Sequence, residues 1–218
     1  MDENKILEIL QMYIQEEMSK NDGSHDWWHV RRVYNNAMLI NEKEKGNPFV
    51  VGVTSLLHDI YDHKYSNGSI KSNLTKLLIK LDLYRFFKVE DIQNILNSCE
   101  NIGFSSNLEG KKELSKEGKI VQDADRLDAI GAIGIARVFT YGGKKGKAIY
   151  NPDEENNIIT KKEYIKNGSN TSISHFYDKL LKIKQLMNTD AAIKIAEHRQ
   201  KYMEEFLEEF YEEWNGRR

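Results

Sequence analysis

Asn47-Pro48-Phe49-Val50-Val51-Gly52-Val53-Thr54-Ser55-Leu56-Leu57-His58-Asp59 is the stretch on which the fold turns. It opens with an N-cap residue followed by proline at the first helical position. Its apolar residues lie nearly all round the helical cylinder, so the helix is buried. Yet it ends in His58-Asp59. An ionised carboxylate beside an imidazole in a dry core is costly unless something compensates it, and a divalent cation suits that pair best. Taken alone, the dipeptide reads first as a capping or core-satisfying pair.

Outward from this helix, the spacing continues to read as helix. Val30, Val33, Tyr34, Ala37 and Ile40 form one stripe, giving a helix from about Asp26 to Lys45 that stops at Gly46. Ile6, Leu7, Leu10, Ile14 and Met18 form another, over about residues 3–18. Further stripes run through Ile70–Leu81, Val89–Cys99, Ile120–Phe139, Ile173–Met187 and Ala192–Trp214. The chain has 2 prolines, and no segment alternates with period two, so the expected fold class is all-α. Residues 141–172 break the pattern with Gly142-Gly143, Gly146, Pro152 and Gly168. They read as a long loop whose Lys144, Lys145 and Lys147 either meet phosphate oxygens or face solvent.

Composition narrows the function. A formal charge of −2 argues against a dedicated nucleic-acid partner. Mean hydropathy is negative, and no apolar run approaches the roughly 20 residues that span a bilayer, so no membrane partner is expected. The 1 cysteine, Cys99, falls in a helical stripe and reads as core. A lone thiol suits a reducing compartment, and with no leader-like start the expected location is cytoplasmic.

Other groups gather around His58-Asp59. His29 lies on the preceding helix, with Val30, Val33 and Ala37 turned inward beside it. Asp123, Asp125 and Asp128 punctuate an apolar helix of Ile120, Val121, Ala124, Leu127, Ala129 and Ile130. Three carboxylates there need cationic partners, and Arg126 serves only some of them. His25 and His29 have the four-residue spacing of a zinc-protease helix. That reading leaves His58-Asp59 and the aspartates unexplained, and Asp26 works better as an N-cap.

The order His29, then His58-Asp59, then Asp125 within Ala124-Asp125-Arg126-Leu127 resembles the HD phosphohydrolase superfamily. The strings His25-Asp26-Trp27-Trp28-His29-Val30-Arg31-Arg32-Val33 and Asp123-Ala124-Asp125-Arg126-Leu127-Asp128-Ala129-Ile130-Gly131-Ala132 look closer still to its small bacterial YedJ- or YpgQ-like subgroup. Ser174-His175-Phe176-Tyr177 and Leu186-Met187-Asn188-Thr189 extend the likeness over about residues 20–214. The resemblance implies one HD-type domain over 1–218: a multi-helix bundle with its metal-site core at about 20–140, the loop 141–172 and C-terminal helices over 173–214.

It also implies a single divalent ion held by His29, His58, Asp59 and Asp125. Two imidazoles and two carboxylates without thiolate suit six-coordinate manganese first, and magnesium, iron, cobalt or nickel next, leaving places for water and a phosphoryl oxygen. If the helix continues, Asp62 shares a face with His58 and Asp59, and related enzymes place an acid there; it is the expected catalytic group, with a solvated helix-end aspartate as the plain reading. His25, Arg32 and Lys64 are candidate substrate contacts, each equally readable as an exposed side chain. Asp128, one turn after Asp125, could orient a ligand imidazole. Trp27 or Trp28 could stack a base, the other being core, while His63, His175 and His198 read as structural or surface residues.

As substrate the resemblance implies a small nucleotide, a nucleoside or deoxynucleoside triphosphate cleaved to monophosphate and pyrophosphate. A nucleoside 5′-monophosphate phosphatase and an alarmone hydrolase are competing activities, although the alarmone branch carries Glu-Asp where this chain has Tyr61-Asp62. A non-catalytic metal- or nucleotide-binding sensor is a competitor of another class.

Overall fold

The computed structural model describes residues 2–19, 26–61, 69–103, 113–153 and 169–218. They are helices and connecting turns, with no strand among the described residues. No described helix is long and apolar enough to cross a membrane. The chain divides into two compact units, Met1–Asp125 and Arg126–Arg218.

The first unit holds α1 (Glu3–Met18), α2 (Trp27–Glu44), α3 (Pro48–Leu57), α4 (Ile70–Lys80), a 3-10 turn (Tyr84–Phe86), α5 (Val89–Asn101) and most of α6 (Lys116–Asp128). The first four helices each begin on a side chain that accepts from the helix's own first turn. Asp2 takes Lys5 N, Asp26 takes His29 N, Asn47 takes Phe49 N and Val50 N, and Ser69 takes Ser72 N. These bonds satisfy amides that have no partner inside the helix. Helix α3 is the hub: every residue from Phe49 to Leu57 is buried, and α1, α2 and α5 pack around it. Ile6, Leu10, Ile14, Val30, Leu56, Leu74 and Ile95 lie in the shared core, and Phe87 stacks on Phe49 with ring centroids 4.5 Å apart.

The turn from α2 to α3 differs from expectation in one detail. The left-handed residue closing α2 is Lys45, at φ 57°, rather than Gly46. Asn41 makes this possible, because its side chain accepts from Gly46 N at 2.8 Å and donates to Gly46 O at 3.2 Å. Gly46 lacks a side chain for another reason: a Cβ there would lie 3.1 Å from Glu117 Oε1 and 3.2 Å from Ile120 Cδ1. Glu117 also accepts from Asn47 N at 3.1 Å. Helix α6 is thereby fastened to the turn that joins α2 to α3.

The second unit contains the end of α6, α7 (Gly131–Lys144), α8 (Ser174–Asp178), a 3-10 helix (Leu180–Leu186) and α9 (Asp190–Trp214). Its core joins Phe176, Leu180, Ile183, Ala192, Ala196, Met203 and Leu207. Three sequence expectations need correction here. The stripe Ile120–Phe139 is two helices, because Ile130 is extended (φ −126°, ψ 165°) and Gly131 sits at φ +78°, a conformation no right-handed helix passes through. The stripe Ile173–Met187 is a short α-helix followed by a 3-10 segment, broken at Lys179 (φ −136°, ψ −58°). Apolar spacing persists across both breaks, so periodicity joins what the backbone separates. The loop expected from Tyr141 starts later, since α7 continues to Lys144.

Candidate metal centre

Three helices bring the candidate ligands of the first unit together. Asp26 caps α2 and fixes its first turn, where His29 is buried at 4% exposure. Helix α3 ends at Leu57, and His58 is its C-cap at 7% exposure, with Asp59 in the turn that follows. Ser115 starts α6 by accepting from Gly118 N at 3.1 Å, and Asp125 lies in that helix's last turn.

The donor atoms converge. His29 Nε2 is 3.5 Å from Asp125 Oδ1 and 3.6 Å from Asp59 Oδ2. One donor atom from each of His29, His58 and Asp125 lies within 4.8 Å of the others. Donors held about 2.1 Å from a six-coordinate ion are separated by about 3 Å when adjacent and about 4.2 Å when opposite. His29, His58 and Asp125 therefore stand close to such a shell, and Asp59 is tied to it through its 3.6 Å approach to His29.

Two readings of this geometry can be separated. A protonated His29 between two carboxylates would be an ordinary ion pair. It would leave His58 unexplained. His58 Nδ1 donates to Ser55 O at 2.7 Å, which puts the lone pair on Nε2. That Nε2 is buried and has no hydrogen-bond partner. An orphaned imidazole nitrogen grouped with the Asp125 carboxylate and a second imidazole fits a cation, and the backbone carbonyl that fixes its tautomer is the usual companion of a ligand histidine.

The remaining sequence candidates divide. Arg32 is half-buried on α2, one turn after His29. Asp128 is 2% exposed at the end of α6, where Arg137 Nη1 approaches at 3.4 Å. The bond that orients the imidazole of His58 comes from Ser55 O, a partner the sequence reading missed; only the i, i+3 spacing at the helix end hints at it. Trp27 packs on the core while Trp28 is 63% exposed. Lys147 donates to the backbone oxygen of Ser169. Asp62, His25 and Lys64 lie outside the described residues. The premise that α3 continues through Asp62 fails before that point, because the helix stops at Leu57 and Ile60 N turns back to Leu57 O.

Cys99 takes no part in nucleophilic chemistry. Burial, with the charge of Asp59 nearby, pushes its thiol up to about 12, and it is 4% exposed.

Comparison with known proteins identifies the family. Residues 27–130 match the HD domain, a span that contains all four candidate ligands. The Bacillus subtilis protein YpgQ is 35% identical over 204 residues, covering 93% of this chain and 91% of its own length. An HD-superfamily hydrolase from Bacillus thuringiensis is 38% identical with a TM-score of 0.77, covering 98% of this chain and 99% of its own. The structure of YpgQ in complex with ADP gives 31% identity and a TM-score of 0.75, covering 98% and 97%. The chain belongs to the HD domain superfamily and is a metal-dependent phosphohydrolase.

Proposed function

We propose that this enzyme hydrolyses nucleoside or deoxynucleoside triphosphates to the monophosphate and pyrophosphate, using one divalent ion, manganese first, held by His29, His58, Asp59 and Asp125. The observation that carries the site is the buried, unpartnered Nε2 of His58 beside Asp125 and His29. Two carboxylates in the set balance the charge of a divalent cation. When bound, such an ion supplies Lewis acidity toward water and toward a phosphoryl oxygen.

The chain's own residues supply the rest. Ser55 O holds His58 in the tautomer that presents Nε2, and Asp26 fixes the turn that carries His29. Asp62 accepts the proton of the attacking water; the family resemblance supports this role. Arg32, Lys64 and His25 meet the phosphates, where fixed positive charge counters the negative charge spread over the transferred group. The exposed indole of Trp28, next to His29, offers a face for a base. The ADP complex of B. subtilis YpgQ supports a nucleotide as ligand. A lone, buried thiol suits a reducing compartment, and we place the enzyme in the cytoplasm.

The test is metal analysis combined with a nucleotide screen. Protein stripped with chelator and reloaded with Mn²⁺ should release pyrophosphate from triphosphates. Asp59→Ala should lose both metal and turnover. Stoichiometric metal and near-normal turnover in Asp59→Ala would show the ligand set to be wrong, and a loaded protein that binds nucleotides without cleaving any would make it a sensor.

A further inference from the structure

We propose that Arg199 is a positioning residue for Asp125, acting from α9 by holding the last turn of α6. The inference rests on the metal-site reading above. Leu127 and Asp125 share that turn, and its carbonyls have no partner within the helix. Arg199 Nη1 donates to Leu127 O at 2.5 Å, so a guanidinium 72 residues away in sequence caps the negative end of α6. The same turn ends in Asp128, only 2% exposed and badly placed against the helix dipole. Arg137 lies 3.4 Å from that carboxylate. Asp128 also acts on Arg199, raising the guanidinium's pKa against the larger lowering caused by burial.

The backbone beyond the turn is built round this side chain. A Cβ on Gly131 would lie 3.0 Å from Arg199 Cγ and 3.1 Å from its Cβ, so the arginine stem occupies that space. Gly131 is also at φ +78°, where other residues are strained. Ala129 N and Ile130 N fold back on Arg126 O and Leu127 O, which makes Leu127 O a shared acceptor for this turn and for Arg199. Freed of the guanidinium, the turn frays from its end, and Asp125 is its first residue. A lysine carries charge but no planar fork, so it replaces the arginine only in part.

The experiment compares wild type with Arg199→Met, Arg199→Lys and Asp125→Asn, by amide hydrogen exchange without metal and by titration with Mn²⁺ alone. Losing a hydrogen bond from a charged group corresponds to about tenfold or more in an equilibrium. Arg199→Met should therefore show about tenfold faster exchange confined to the end of α6, and about tenfold weaker Mn²⁺ binding. Arg199→Lys should recover part of both, and carries the test if the methionine variant does not fold. Unchanged exchange would overturn the proposal. Faster exchange with wild-type Mn²⁺ affinity would overturn it too, reducing Arg199 to a structural cap. Asp125→Asn binding Mn²⁺ as wild type does would instead sink the ligand assignment, leaving the exchange result to stand apart.

Discussion

Replacing His58 by asparagine separates the metal site from the fold. The side-chain amide of asparagine can take the place of Nδ1 and keep the 2.7 Å bond to Ser55 O, while Nε2 disappears. In the metal-free protein that nitrogen is buried without a partner, a condition that costs about 1–3 kcal/mol. Removing the outer part of the ring empties on the order of 30 Å³, which at ~24 cal/mol per Å³ costs about 0.7 kcal/mol. The metal-free variant is thus expected to be at least as stable as metal-free wild type. A ligand at a hundredfold excess over its Kd adds about 2.7 kcal/mol. For a chain of this length that raises Tm by about 5–11 °C, at about 2–4 °C per kcal/mol. Differential scanning calorimetry with and without Mn²⁺, at the concentration that saturates wild type, reads both quantities. Wild type should show the rise and His58→Asn should not. A variant that keeps the full rise, or that melts more than about 5 °C lower without metal, would refute the reasoning.

Asp62→Asn should retain the metal and lower kcat by about 10²-fold or more, the range that general acid–base groups supply; normal turnover would demote Asp62 to a turn residue, and loss of metal would make it a ligand. A second expectation concerns pH. His175 bonds to Ser169 Oγ at 3.1 Å, and burial, with Lys179 and Lys147 nearby, lowers its pKa from 6.5 to about 4. The unfolded chain then binds a proton that the folded one refuses, so stability is full above about pH 6.5 and falls as pH drops toward about 4, by about 3 kcal/mol in all. Urea titrations across that range should show a flatter slope in His175→Gln, and an unchanged slope would contradict it.

The helices that chemistry punctuates were readable. Asp26 and Asn47 cap the helices they precede, and the nearly all-apolar composition of residues 49–57 shows in their complete burial. The convergence on His58-Asp59 was legible because a charged pair closing a dry helix is conspicuous. Other features had little or no sequence signal. Ser55 orients His58 through its backbone, and every residue has a carbonyl. The break at Ile130–Gly131 leaves the apolar spacing intact. Arg199 reaches a main-chain oxygen far away in sequence, which periodicity and motif spacing do not register. The Asp62 face argument assumed a helix longer than the ten residues observed.

The most direct test of the central claim follows the oxygen. The Mn²⁺-loaded enzyme is given a nucleoside triphosphate in ¹⁸O-labelled water, and the products are read by ³¹P NMR and mass spectrometry. Attack at the α-phosphate puts the label in the monophosphate, beside unlabelled pyrophosphate, with no orthophosphate formed first. Label in pyrophosphate, early orthophosphate, or release of intact tripolyphosphate would each contradict the proposed reaction.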